Sequence, residues 1–234
     1  MNPNQNPVMI YSANNVILVE NVLPENKINS LKEYMKRFMH KEEGVTANAE
    51  PPSEGGNKSP VRSCEVAWIQ PDTKFTSEVI QQISNTIINI NHEWFGYTVH
   101  RPEPIQYTMY EYKEENEVKD HYNWHQDSWG NSRTNPIERK LSMSVQLSHS
   151  DEYEGCNLIF PDTKTRDLVN SDPNAPYGMN MYNGQSVTVS EWDELQRQKG
   201  TAIFFQSTSY HRVTPIESGS RYALVNWLQG PKWR

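Results

Sequence analysis

The stretch Trp124-His125-Gln126-Asp127-Ser128 sets a histidine and an aspartate two residues apart, so on an extended backbone both side chains point the same way. Far downstream, Tyr210-His211-Arg212-Val213 offers a second histidine, followed ten residues later by Arg221 in Gly219-Ser220-Arg221-Tyr222. Two neutral imidazoles and one carboxylate suit Fe(II), and gathered on one face of the metal they leave three positions open. Arg221 adds a permanently charged planar fork that fits a carboxylate. It enters a segment of alternating Tyr222, Leu224, Asn226 and Leu228. A buried arginine there needs a partner, because unpaired buried charge is costly, and a dicarboxylate would supply one.

Rival ligands are present. A second His-x-Asp, His149-Ser150-Asp151, lies in a polar turn with three acids and reads as a solvated loop. His121, four residues before His125, could share a helix face with it as a zinc pair. Yet Tyr122-Asn123-Trp124 looks extended, and the glutamate of an HExxH pair is absent. His40, His92, His100 and His121 read as surface or hydrogen-bonded core histidines. Cys64 and Cys156 lack the spacing of a metal or redox pair and read as two free thiols.

The elements around these residues follow from periodicity. Val16–Val19 reads as a strand, and Pro24-Glu25 opens a helix with Ile28, Leu31, Tyr34, Met35 and Phe38 on one face. Residues 42–60 carry Pro, Gly, Ser and charge with almost no apolar residue, which predicts a mobile loop. Val61–Ile69 reads as a strand and Thr76–Trp94 as a second helix. From Ile105 on the pattern turns β-like: Ile105–Tyr112, Leu141–Leu147, Cys156–Phe160, Gln185–Val189, Thr201–Phe205 and Tyr222–Leu228 are short runs between turn signals. Pro161–Asn183 is turn-rich and reads as a surface insertion between strands. Helices followed by six or more strands predict an antiparallel sandwich, mainly β, with helices packed outside one sheet.

The 234 residues suffice for one domain with a substantial core, and a single domain over 1–234 is expected, with the helices in residues 1–100 and the β runs over 105–234. The net charge of −7 argues against a broad nucleic-acid footprint. Mean hydropathy is −0.84, and no apolar run reaches the roughly 18 residues that span a bilayer. The expectation is a soluble cytoplasmic protein (host cytoplasm, if phage-encoded), with no membrane partner.

Between Tyr107 and Arg234 the chain resembles the Fe(II)/2-oxoglutarate-dependent oxygenases of the prolyl 4-hydroxylase-like group, and within it the bacterial and phage PKHD-type hydroxylases. The resemblance rests on Tyr110, His125-Gln126-Asp127, the run Arg139–Ser148, Tyr153-Glu154-Gly155, Phe205, His211–Ile216 and Gly219–Trp227. It implies a double-stranded β-helix, a jelly-roll or cupin-like variant. It implies that His125, Asp127 and His211 bind Fe(2+) and that Arg221 pairs with the distal carboxylate of 2-oxoglutarate. Tyr110 and Tyr122 would be pocket tyrosines near the cosubstrate, with aromatic packing as the alternative. Ser144 and Gln146 would lie on the strand lining that pocket. The reaction implied consumes 2-oxoglutarate and O2, with ascorbate as a reductant, and hydroxylates a C–H bond with release of succinate and CO2.

Two positions depart from the family pattern. Ala223 stands where some members carry a hydroxyl, and Gly155-Cys156 stands where relatives often read Gly-Gly. The substrate class expected is a peptidyl proline or another amino-acid side chain. Loop 42–60 could close over it, and Trp124 and Trp129 could wall the entrance. A nucleic-acid dealkylase of the same cofactor class is disfavoured, because those relatives carry a second arginine where this chain has Trp227. A non-enzymatic jelly-roll binding module would require all four residues of the metal and arginine set to be coincidence.

Overall fold

The computed structural model describes residues 9–38, 61–128, 136–161 and 172–233. Loop 42–60, His40 and Trp129 lie outside them. The chain runs β1 (Ile10–Ala13), β2 (Val16–Val19), α1 (Glu25–Met35), β3 (Arg62–Ser63), β4 (Glu65–Trp68) and α2 (Lys74–Ile90). A π-helical turn, Asn91–Phe95, follows. Then come β5 (Arg101–Pro102), β6 (Gln106–Glu111), β7 (His121–His125), β8 (Ile137–Gln146), β9 (Tyr153–Gly155) and β10 (Leu158–Ile159). The last elements are β11 (Pro176–Asn180), β12 (Ser186–Thr188), α3 (Val189–Arg197), β13 (Ala202–Gln206), β14 (His211–Val213) and β15 (Ile216–Pro231).

Two antiparallel sheets face each other. The larger has the order β12-β11-β1-β2-β13-β8-β15-β6-β4, with β5 and β9 also on β15. The smaller has the order β10-β14-β7-β3. This is the jelly-roll arrangement expected, with α1 and α2 on one outer face. Strand alternation decides which side chain goes where. Leu141, Met143 and Val145 of β8, Tyr107 and Met109 of β6, and Leu224 and Leu228 of β15 join Ile28, Leu31 and Met35 of α1 and Val79, Ile83 and Ile87 of α2 in one core. The alternate residues, Ser144 on β8, Thr108 and Tyr110 on β6, and Arg221 and Ala223 on β15, face the smaller sheet. Helices α1 and α2 therefore cover one face of the large sheet and leave the other for chemistry, while Trp192 of α3 packs with Leu18 and Ile203 on that other face.

Local sequence explains the element ends. Thr73 caps α2, accepting from the Thr76 amide. Gly96, at φ +65, ends the π turn that shortens the helix predicted to Trp94. Gly219, two residues before Arg221, sits at φ +71, and a Cβ there would run into the Glu152 carbonyl. No helix among the described residues is long and apolar enough to cross a membrane.

Four expectations need correction. Val61–Ile69 is two strands, not one: the chain changes sheets at Cys64, β3 pairing β7 and β4 pairing β6. Cys156–Phe160 is likewise broken, because Cys156 takes φ +51 between β9 and β10. Pro161–Asn183 is not wholly an insertion, since Pro176–Asn180 pairs with both β1 and β12. Gln185–Val189 ends as a strand at Thr188, where a capping box with Glu191 starts α3.

Candidate active site

The two histidines face each other across the smaller sheet. His125 ends β7 and His211 begins β14, and they are register partners with ring centroids 4.1 Å apart. Asp127 follows β7 by two residues. Its amide donates to the Ser207 carbonyl at 2.9 Å, as does the next amide, Ser128. This hook swings the carboxylate between the rings: His125 Nε2 lies 3.7 Å from Oδ1 and His211 Nε2 3.7 Å from Oδ2. The potential ligand atoms of the three residues all lie within 4.8 Å of one another, and all three side chains are buried. Among the described residues this is the one such group.

Each ring is aimed by its other nitrogen. His125 Nδ1 lies 2.7 Å from the Asn123 carbonyl and His211 Nδ1 3.0 Å from the Ser209 carbonyl. A carbonyl only accepts, so both Nδ1 carry the proton and both Nε2 lone pairs point at the gap. Tyr122 stacks on His125 at 3.4 Å between centroids, and Phe205 packs on His211 at 4.6 Å. Ser142 of β8 donates to Asp127 Oδ2 at 2.7 Å and shares a 2.9 Å hydrogen bond with Ser207, tying the carboxylate to the opposite sheet. Ser142→Ala should weaken Fe(II) or Mn(II) binding about 10- to 100-fold with the fold retained. Metal titration checks this; wild-type affinity would mean that Ser142 does not position the carboxylate.

The environment keeps these groups in metal-binding form. Burial would raise Asp127, but His211, His125, Arg139 and the Ser142 hydroxyl outweigh it and hold the carboxyl below its usual range. Burial, with the field of His211, pushes His125 down to about 4. An unfolded histidine takes its proton near 6.5. Below that pH the unfolded chain binds a proton that the fold refuses at His125. Metal-free protein should therefore lose stability from about pH 6.5 down to about 4, by roughly 3 kcal/mol, while His125 contributes no slope above 6.5. Denaturant unfolding at a series of pH values checks this; no loss between pH 7 and 5 would contradict it.

A cavity of about 190 Å³ opens beside the triad. Arg221 stands at its inner end, 2% exposed, with Nε donating to Gln146 Oε1 at 3.0 Å and the guanidinium 5.6 Å from the Tyr110 ring centre. On β8, Gln146 lies four residues from Ser142, about 13 Å of strand. That span separates the arginine end from the carboxylate end. Tyr110, Tyr122 and Ser144 all line the cavity. Burial raises Tyr110 well above its ordinary value and Tyr122 to about 12, so both stay phenols that can donate. Gln146 holds the guanidinium rather than facing the open space.

Other candidates fall elsewhere. His149 is exposed and meets Glu25, so the second His-x-Asp is not part of the group. His121 Nδ1 meets the Lys119 carbonyl. Trp124 faces away from the cavity, its ring under the Arg212 guanidinium at 5.0 Å, which removes it as an entrance wall. Four residues escaped the sequence reading. Ser142 could have been found: Ser142, Ser144, Gln146 and Ser148 alternate with apolar residues along one strand. Thr108 lies opposite Ala223 in the sheet and brings a hydroxyl to that level of the cavity. Arg139 forms a two-pronged pair with Glu103, both bonds 2.7 Å, and Arg62 depends on the sheet change at Cys64.

The donor set and the charged inner end fit a divalent iron and a keto-diacid, and comparison with known proteins agrees. Residues 105–229 match the family model described as the 2OG-Fe(II) oxygenase superfamily. A PKHD-type hydroxylase of Saccharophagus degradans is 31% identical over 93 residues, which is 40% of this chain and 30% of that protein. Among solved structures, a viral collagen prolyl hydroxylase of Paramecium Bursaria Chlorella virus-1 in complex with 2OG aligns at TM-score 0.57 and 16% identity, over 92% of this chain and 96% of that one. A prolyl hydroxylase of Trichoplax adhaerens, in complex with a hypoxia inducible factor peptide fragment, aligns at TM-score 0.57 and 16% identity, over 92% and 83%. At these identities the solved structures speak for the fold, while the family model covers the triad and Arg221 together. The chain belongs to the 2OG-Fe(II) oxygenase superfamily.

Proposed function

We propose that this chain is a Fe(II)- and 2-oxoglutarate-dependent dioxygenase that hydroxylates a C–H bond of a peptidyl proline or another amino-acid side chain, releasing succinate and CO2. The observation that carries the reading is the pairing, in one cavity, of an inward-facing His-Asp-His group with a fully buried arginine. His125 and His211 would bind iron through Nε2, and Asp127 through its carboxylate. Bound iron, 2-oxoglutarate and O2 supply the oxidising power; the chain supplies position, charge and dryness. Ascorbate enters only as a reductant of the iron.

Arg221 would neutralise the distal carboxylate, with Gln146 fixing the guanidinium plane. The missing hydroxyl at Ala223 has a substitute. Thr108 Oγ1 accepts from Gln106 Nε2 at 2.8 Å, so its own proton is free for the cosubstrate. Tyr110, kept protonated by burial, can donate at the same end. Leu158, Phe205 and Val213 add apolar wall to the cavity and exclude water. The amino-acid or peptide class of substrate rests on the structural neighbours named as prolyl hydroxylases and on the peptide fragment bound by the Trichoplax protein.

The test is mass spectrometry of a proline-rich peptide panel and of free amino acids, incubated with protein, Fe(II), 2-oxoglutarate and O2. Gain of one oxygen atom from O2 at a single residue supports the assignment. Succinate without any oxygenated peptide or amino acid would move the substrate to another class.

A further inference from the structure

A second buried guanidinium shares the cavity, and its charge is not used by the chemistry above. Arg62 of β3 is 7% exposed and lines the cavity that holds the triad. Its Nε donates to Cys64 Sγ at 2.8 Å, and its guanidinium carbon lies 4.8 Å from the centre of the Tyr122 ring. Tyr122 in turn stacks on His125, so Arg62 stands one ring away from the metal group. The groups closest to it among the described residues, Cys64, Tyr110 and Tyr122, are uncharged near neutral pH.

Two other arginines, half-buried Arg139 and buried Arg197, show what such a charge ordinarily requires. Arg139 has Glu103. Arg197 is surrounded by four acceptors: the carbonyls of Gly155, Ser150 and Tyr153 and the side chain of Asn157. Among the described residues no carboxylate forms an ion pair with Arg62. The acid beside its strand, Asp120, is engaged by the Ser63 hydroxyl and the Glu111 amide. The charges of the loaded centre also balance without it. Fe(II) with Asp127, and 2-oxoglutarate with Arg221, sum to zero, which leaves Arg62 as one positive charge facing the substrate side.

We infer that the substrate carries a carboxylate, which Arg62 receives, and that this pairing holds the target carbon over the open face of the metal. The inference rests on the oxygenase reading above. The planar fork of Arg62 matches a carboxylate, and the walls beyond it, Trp68, Trp227 and Tyr122, accept the apolar remainder of an amino acid. Two sources carry that group: an acidic side chain next to the target residue in a peptide, or the α-carboxylate of a free amino acid.

The experiment is calorimetric binding to protein loaded with Mn(II) and 2-oxoglutarate under anaerobic conditions. One arm compares end-capped peptides that carry proline beside glutamate with the same peptides carrying glutamine. The other compares free amino acids with their carboxamides. In one arm the acid should bind about 10- to 100-fold more tightly than its amide, the worth of a buried hydrogen bond to a charged group. Arg62→Gln should erase that ratio, and Arg62→Lys, which keeps the charge and guards against mere misfolding, should retain part of it. The arm that shows the ratio names the source of the carboxylate. No acid preference in either arm overturns the inference, as does a preference that persists in Arg62→Gln. Wild-type protein that forms succinate yet shows no preference overturns this inference alone. Protein that binds neither Mn(II) nor 2-oxoglutarate overturns the oxygenase reading as well.

Discussion

Asp127→Ala protein should form succinate at no more than about a thousandth of the wild-type rate, and His211→Ala should match it. Each substitution removes one of only three protein ligands, and an iron that still binds would sit with the wrong charge and the wrong open positions. A metal's electrostatic contribution of several kcal/mol corresponds to about that thousandfold. Asp127→Ala is the cleaner variant. The Asp127 and Ser128 amides donate to the Ser207 carbonyl at 2.9 Å whatever the side chain, so the seam between the sheets survives. The measurement is succinate formation alongside equilibrium metal binding. A folded Asp127→Ala protein with wild-type activity would overturn the ligand assignment.

Arg221→Ala should act on a different quantity. The guanidinium is fully buried and is held by Gln146, away from the triad along the strand direction. Its loss should leave metal affinity close to wild type while raising the 2-oxoglutarate KM roughly 30- to 5000-fold. That range corresponds to the 2–5 kcal/mol lost when one member of a buried, hydrogen-bonded charge pair is removed. Arg221→Lys keeps the charge without the planar fork and should fall between. Steady-state kinetics with varied 2-oxoglutarate, beside a metal titration, separates the two effects. Wild-type 2-oxoglutarate affinity in Arg221→Ala would refute the pairing.

What could be read from sequence divides along a physical line. Residues buried by strand alternation were legible. The period-2 pattern of β8 and β15 announced both the core face and the polar face; His125, His211 and Arg221 lie at strand positions that aim them at one cavity, and Asp127 follows His125 by two residues in the hook after β7. The apolar faces of α1 and α2 were equally plain. Edge pairing was not legible. β11 is half-exposed, turn-rich and lacks a strong apolar pattern, so only its neighbours β1 and β12 make it a strand. The hairpin β1–β2 had a signal that went unread: Asn14-Asn15, both at positive φ, form the turn that asparagine tolerates. α3 likewise announced itself through Thr188 and Glu191, against the β-rich background of its neighbours.

Within the site the same division holds. Metal ligands are recognisable by type and spacing. Supporting residues such as Ser142 and Thr108 are ordinary strand hydroxyls until the opposite sheet or the cross-strand partner is known. Arg62 became part of the site only because the chain leaves one sheet and enters the other at Cys64, a change that the strand-like run Val61–Ile69 conceals. Cys156 shows the reverse case. It occupies a left-handed position where relatives often carry glycine, so the departure noted in the sequence falls where the backbone turns from β9 to β10.

The central claim is that the triad and Arg221 together run a 2-oxoglutarate-dependent reaction of iron and O2. Its most direct test is succinate formation by anaerobically purified protein, supplied with Fe(II) and 2-oxoglutarate and then exposed to O2. Succinate should appear only when all three are present, and should vanish in Asp127→Ala. Protein that binds Fe(II) and 2-oxoglutarate yet forms no succinate on exposure to O2, with or without candidate substrates, would contradict the account.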